Sequence, residues 1–189
     1  MRFWFVETFL LAAAVFLGVQ PITAPAEPIL RAGVTSYYVG GASVDAIRKD
    51  IEANAPPNLE GAHVASFTKW ELQWRWKTEE KDGQCGMAQA TAVLGVSMFV
   101  PKLRNQAAAT ASLLARWKKY EKALRAHEEG HMQIATRAAR EIEATLLKMQ
   151  PESTCAALQL RADEIAKGML ENYRKEDAIY AATAEQIKL

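Results

Sequence analysis

The chain lacks an excess of charge of either sign. Its 23 Lys and Arg face 22 Asp and Glu, for a formal net charge of +1. That balance gives no electrostatic case for nucleic acid or an anionic membrane as a partner. A membrane-spanning run is also missing. The apolar stretch Phe9–Val19 has eleven residues, short of the roughly 20 that a helix needs to cross a bilayer. No cysteine follows that stretch, so a lipoprotein anchor is not suggested. Internal repeats and low-complexity segments are absent too. What remains is an ordinary globular composition, 50% hydrophobic and 24% charged. At 189 residues it is long enough for one domain with a core of its own.

The N-terminus has the layout of a secretory signal peptide. Met1 and Arg2 make a minimal positive start, Phe9–Val19 supplies the apolar region, and Ala24-Pro25-Ala26 offers an A-x-A cleavage site before Glu27. Glu7 sits awkwardly beside the run and keeps an uncleaved anchor open as the alternative. The expected organisation is a leader over 1–26 and a single domain over 27–189, periplasmic or secreted, with no stable membrane anchor after cleavage. Cysteine is scarce, with only Cys85 and Cys155 present. In an oxidising compartment such a pair reads most simply as one disulfide. It would close a loop of about 70 residues, which chain entropy values at roughly 4 kcal/mol. The alternative is two buried free thiols.

Along the mature chain, residues 27–32 read as a linker and Val34–Val39 as a short β-prone run ended by Gly40-Gly41. Ser43 is placed to cap a helix through Ile47 and Ile51 to about Asn54, where Ala55-Pro56-Pro57-Asn58 breaks it. Lys69 to Lys77 then alternates strictly. Trp70, Leu72, Trp74 and Trp76 point one way; Lys69, Glu71, Gln73, Arg75 and Lys77 point the other. A polar turn, Glu79–Gly83, leads into a second run from Cys85 to Val100, ended by Pro101. The two runs predict a long antiparallel hairpin. Its tryptophan row reads as the core face of a one-sided sheet rather than a carbohydrate or peptide platform.

From Asn105 to about Gln150 the period becomes helical. An apolar stripe runs through Leu113, Trp117, Tyr120, Leu124, Ile134, Ala138 and Ile142, and Pro151 stops it. Ser153 or Thr154 caps a second helix through Leu158, Ile165, Met169 and Tyr173. After Asp177 the signals are weak. The predicted class is α+β: an antiparallel sheet with a long hairpin packed on a long helix, plus a second, C-terminal helix.

The chemistry lies in that long helix, at His127-Glu128-Glu129-Gly130-His131. Two histidines four apart sit on one helix face, one turn apart, so both imidazoles reach a single ion. A glutamate beside the first projects near the same ion without ligating it and can take a proton from a metal-bound water. His127 and His131 also continue the buried stripe between Leu124 and Ile134, which turns both rings inward. Left there without a metal they would be core histidines bonded to backbone or carboxylates. A catalytic zinc ion usually has three protein ligands. His63, the third histidine, stands before the tryptophan strand as a packing or surface residue. The carboxylates Glu164, Glu171, Glu176, Asp177 and Glu185 remain as candidates.

These residues resemble the bacterial secreted proteins grouped as the DUF922 family, described as predicted zinc-dependent proteases. The resemblance covers nearly all of the mature chain. It rests on Tyr37-Tyr38-Val39-Gly40-Gly41-Ala42-Ser43, on Trp70-Glu71-Leu72-Gln73-Trp74-Arg75-Trp76 and on the Cys85 segment. Pro101, Trp117, the His127–His131 motif with Ile134-Ala135, Ser153-Thr154-Cys155 and Tyr180 also match. It implies that Cys85 and Cys155 pair. It further implies a site completed near the C-terminus, in a pattern reading roughly Tyr-Asp-x-x-Thr-x-His-Gly. Here the chain departs. Ala181 stands where Asp is expected, Thr183 comes one residue early, and Glu185 occupies the place of the histidine.

The expectation is therefore an exported zinc-dependent metallohydrolase, a peptidase acting on a peptide or protein substrate. His127 and His131 would bind Zn2+, with Glu185 as third ligand, and Glu128 would be the general base. The alternative is a non-catalytic exported binding module with a structural or degraded metal site.

Overall fold

The computed structural model describes residues 27–189; the leader expected over 1–26 lies outside them. Strand β1 (Ile29–Val39) leads into helix α1 (Val44–Asn54). Strands β2 (Phe67–Lys81) and β3 (Gln84–Leu103) follow, then helices α2 (Ala111–Leu147) and α3 (Cys155–Ala181). Single 3-10 turns stand at Gln106–Ala108 and Ala182–Gln186. No helix among the described residues is long and apolar enough to cross a membrane.

The α+β class and the long hairpin are borne out. β2 and β3 pair antiparallel from Phe67↔Phe99 to Lys81↔Gln84. Asp82 (φ 52°) and Gly83 (φ 74°) make the two-residue turn between them, both in the left-handed region that this hairpin geometry requires. The sheet is not purely antiparallel, however. β1 joins the other flank of β3 in parallel, from Ile29↔Val93 to Val39↔Leu103, giving the order β1-β3-β2.

Three boundaries differ from the sequence reading, each for a local reason. β1 begins at Ile29 inside the expected linker, because its backbone pairs with β3 even though most of its side chains stay exposed. β3 runs through Pro101 to Leu103. β2 ends opposite Phe99, so β3 has one free flank beyond that point, where a residue without an N–H is tolerated. The long helix starts at Ala111 rather than Asn105. Asn105 is left-handed (φ 53°, ψ 46°), and Thr110 is the cap, its side chain accepting from the Leu113 N–H at 3.2 Å.

Helix α2 has 37 residues and is about 55 Å long at about 1.5 Å per residue. It serves two cores. Its first half, with Leu113, Trp117, Tyr120 and Leu124, packs with Val39, Leu103, Ile47 and Ile51. Its second half, with Ala138, Ala139, Ile142 and Leu146, packs with the sheet residues Trp70, Leu72, Leu94 and Val96 and with Ala162 and Ala166 of α3. Small residues on this half let α2 approach the sheet and α3 closely. The tryptophan row is a packing face. Trp70 and Leu72 are buried, and Trp74 and Trp76 pack against the same core.

Helix α3 is fastened at its start. Cys85 and Cys155 are joined as a disulfide with Cα atoms 5.0 Å apart. Beside it Cys85 and Glu152 exchange two backbone hydrogen bonds, at 2.8 and 2.9 Å. Further along, the indole N–H groups of Trp74 and Trp70 donate to Asp163 and Asp177 of α3, at 3.3 and 2.9 Å.

Candidate metal centre

Between the two halves of α2 lies a short polar stretch. His127, Glu128 and His131 are all buried there, with 7%, 1% and 7% of their surface exposed. A buried polar group is costly unless it is hydrogen-bonded. Each of these three is, and the partners define the site.

Glu128 faces the start of β2. Its two carboxylate oxygens accept from the hydroxyls of Ser66 and Thr68, at 2.6 and 2.7 Å. The period-two alternation of β2, run backward from Trp70, places Thr68 and Ser66 on the inward face. That was the available signal for two residues not singled out in the sequence.

His131 is oriented from α3. Its Nδ1 lies 2.6 Å from Asp177 Oδ1, and the other oxygen of Asp177 accepts from the Trp70 indole. A carboxylate only accepts, so Nδ1 of His131 carries a hydrogen, and in the neutral ring Nε2 keeps its lone pair. On His127, Nδ1 lies 3.4 Å from Thr183 Oγ1, whose own hydrogen goes to the Tyr180 carbonyl at 2.8 Å. Nδ1 is therefore the donor here as well. The two Nε2 atoms face each other 3.2 Å apart, with the ring planes at 86°. Burial holds His127 below the ordinary imidazole pKa. The charge of Glu128 opposes this shift and the neighbouring His131 adds to it.

Tyr180 closes one side. Its ring stacks on His127 at 4.7 Å and 10° and meets His131 edge-on at 5.0 Å. The phenol reaches the helix backbone at Gly130, where a Cβ would stand 2.1 Å from its hydroxyl oxygen. A glycine inside a helix costs about 1 kcal/mol relative to alanine. Here it makes room for the ring that walls the histidines. A cavity of about 320 Å³ has His127, Glu128 and His131 among its lining residues.

The other candidates lie elsewhere. His63 bonds through Nδ1 to the Ala55 carbonyl at 2.5 Å and fastens its loop. Glu171 pairs with Lys175 and Glu176 with Arg137. Glu164 is exposed, and Glu185 is exposed on the last 3-10 turn, next to Ala184, which lines the cavity. Among the described residues, no three His, Cys, Asp or Glu side chains converge to hold a metal ion.

Over residues 34–186 the chain matches the family described as "Bacterial protein of unknown function (DUF922)". The chain belongs to the DUF922 family. Neither a curated protein nor a solved structure matches it. In this DUF922 chain, Tyr180 and Thr183 of the C-terminal pattern both touch His127, and Asp177 lies one helical turn before Tyr180 on the same side of α3. The C-terminal part of the family match thus supplies the surroundings of the histidine pair.

Proposed function

We propose that this chain is an exported zinc-dependent hydrolase acting on peptides. The observation that carries the reading is the pair of Nε2 atoms 3.2 Å apart, each left with a lone pair because its ring's Nδ1 donates elsewhere. Two facing lone pairs suit a shared positive centre. Two nitrogens bound to one tetrahedral zinc ion at about 2.0–2.1 Å lie about 3.3 Å apart, so the separation suits zinc. An orienting carboxylate behind a ligating histidine is a common companion of such sites, and Asp177 fits that description.

His127 and His131 would hold the ion. Bound zinc would polarise a carbonyl and lower the pKa of a water molecule to near 7. Glu128 would accept the water proton on a carboxylate oxygen and return it to the leaving amine. Ser66 and Thr68 fix that carboxylate, and each of its oxygens retains a second lone pair for the proton. Glu185 is the protein group proposed to complete the ligand set; it would have to turn inward from its exposed position. Export is supported by the Cys85–Cys155 disulfide, which persists in oxidising compartments. Peptide as substrate rests on the family resemblance.

A second reading has its own support. Two donors without a third among the described residues suit an exported binding module with a structural or degraded metal site. Metal content and hydrolysis of a broad peptide pool, measured on the chain and on Glu128→Gln, separate the two. One zinc per chain with hydrolysis that disappears in the variant supports the enzyme. One zinc with no hydrolysis supports the module. A chain that takes up no zinc refutes both the hydrolase and the structural metal site.

A further inference from the structure

The cavity beside the histidines also holds a cation that the hydrolytic reading does not use. Arg174, on α3 three residues before Asp177, lines the same cavity as His127, Glu128 and His131. Its guanidinium carbon lies 4.6 Å from the centroid of the Trp70 ring. Trp70 is itself buried and tied through its indole N–H to Asp177. A guanidinium held over a fixed aromatic face loses much of the freedom of a long side chain.

Arg174 makes no ion pair among the described residues. Three carboxylates share the cavity wall with it: Glu60, Glu128 and Asp177. Glu128 and Asp177 already accept one hydrogen bond on each oxygen, from Ser66 and Thr68 and from Trp70 and His131. Glu60 is exposed on the loop before β2. Beside the polar Asn58, Ser66 and Thr68, the wall carries apolar residues, among them Leu59, Val64 and Phe67. A held guanidinium with open donors at an apolar cleft is suited to two-point recognition of a carboxylate.

We infer that Arg174 is a specificity residue that binds a carboxylate of the peptide ligand. The inference rests on the proposed reading for its choice of peptide as ligand. The carboxylate has two sources, the C-terminus of the peptide or an acidic side chain within it.

The test is calorimetric binding to the full chain, with and without one equivalent of zinc. Three short peptides of one apolar sequence serve as probes: a neutral C-terminal amide, the same peptide with a free C-terminal carboxylate, and an amide carrying one internal glutamate. At least one carboxylate form is expected to bind roughly tenfold tighter than the neutral amide, the scale of a hydrogen bond to a charged group. Arg174→Gln, which keeps a polar stem over Trp70, removes that advantage, and Arg174→Lys keeps part of it. Preference for the free C-terminus assigns recognition at a chain end; preference for the internal glutamate assigns recognition within the chain. Equal binding of all three peptides, no binding of any, or an advantage that survives Arg174→Gln in a variant with unchanged circular dichroism overturns the inference. Zinc uptake is read separately. A carboxylate preference that depends on Arg174 in a chain that takes up no zinc upholds this inference and sinks the hydrolase.

Discussion

Replacing Gly130 by alanine sets two effects against each other. By helix propensity alone the substitution stabilises α2 by about 1 kcal/mol. The structure opposes it. The new Cβ would lie 2.1, 2.4 and 2.7 Å from the hydroxyl oxygen, Cζ and Cε1 of Tyr180, and ordinary contact begins at 3.4 Å. The phenol must therefore retreat by about 1.3 Å at its tip, which takes the ring off His127. An aromatic stack of this kind contributes about 0.5–1.5 kcal/mol. The two terms offset, so urea unfolding of Gly130→Ala should differ from the parent by less than about 0.5 kcal/mol. Zinc affinity, measured by competition with a chromophoric chelator, should nonetheless fall by about tenfold, because His127 loses the wall that fixes its ring. In a Tyr180→Ala background the same Gly130→Ala change should regain the full 1 kcal/mol or so. If Gly130→Ala alone stabilises by that full amount and leaves zinc affinity untouched, Tyr180 does not occupy the place described, and the account of Gly130 is wrong.

Other outcomes follow from the same geometry. Asp177→Asn keeps the bond from Trp70 but loses the anionic acceptor that sets the His131 tautomer, so zinc affinity should drop about 10- to 100-fold; chelator competition measures it. Thr68→Val leaves one oxygen of the buried Glu128 without its donor and should cost about 1.5–3 kcal/mol in urea unfolding, whereas the neighbouring, outward-facing Lys69→Ala should change stability by less than about 0.5 kcal/mol. Cys85→Ser with Cys155→Ser opens the 70-residue loop and should lower stability by up to about 4 kcal/mol, with unfolding of the oxidised parent as reference. Glu128→Gln should keep zinc and lose at least about 10²-fold in any peptide hydrolysis.

The sequence was legible where one period ran long enough. The strict alternation of Lys69–Lys77 set the hairpin and its inward face, and the stripe from Leu113 to Ile142 set α2 and turned both histidines inward. The cap on α3 was readable to within one residue, Ser153 or Thr154 after Pro151, and Thr154 fills it. The parallel seat of β1 was not readable, because an exposed flanking strand carries no alternation of burial to betray its register. Nor did the helical spacing tell which carboxylate serves which nitrogen. By spacing Asp177 stood among five candidates, and the family resemblance favoured Glu185; only the crossing of α3 over the Trp70 face brings Asp177 to His131. The role of Gly130 needed the position of a residue fifty places away. In sequence it read merely as the one glycine tolerated inside a good helix.

That α2 joins two cores has a consequence for how the histidines respond to the rest of the molecule. They sit on α2 between the two cores, so their polar partners are housed without cutting through either. The same placement makes the segment a gauge of both. Trp117 belongs to one core and Ile142 to the other, and both lie on the helix that carries the two histidines, so a repacking at either would reach the motif through α2. Substitutions far from the motif, with no partner in it, would then tune the site through the relative setting of the cores, while each core keeps its own stability.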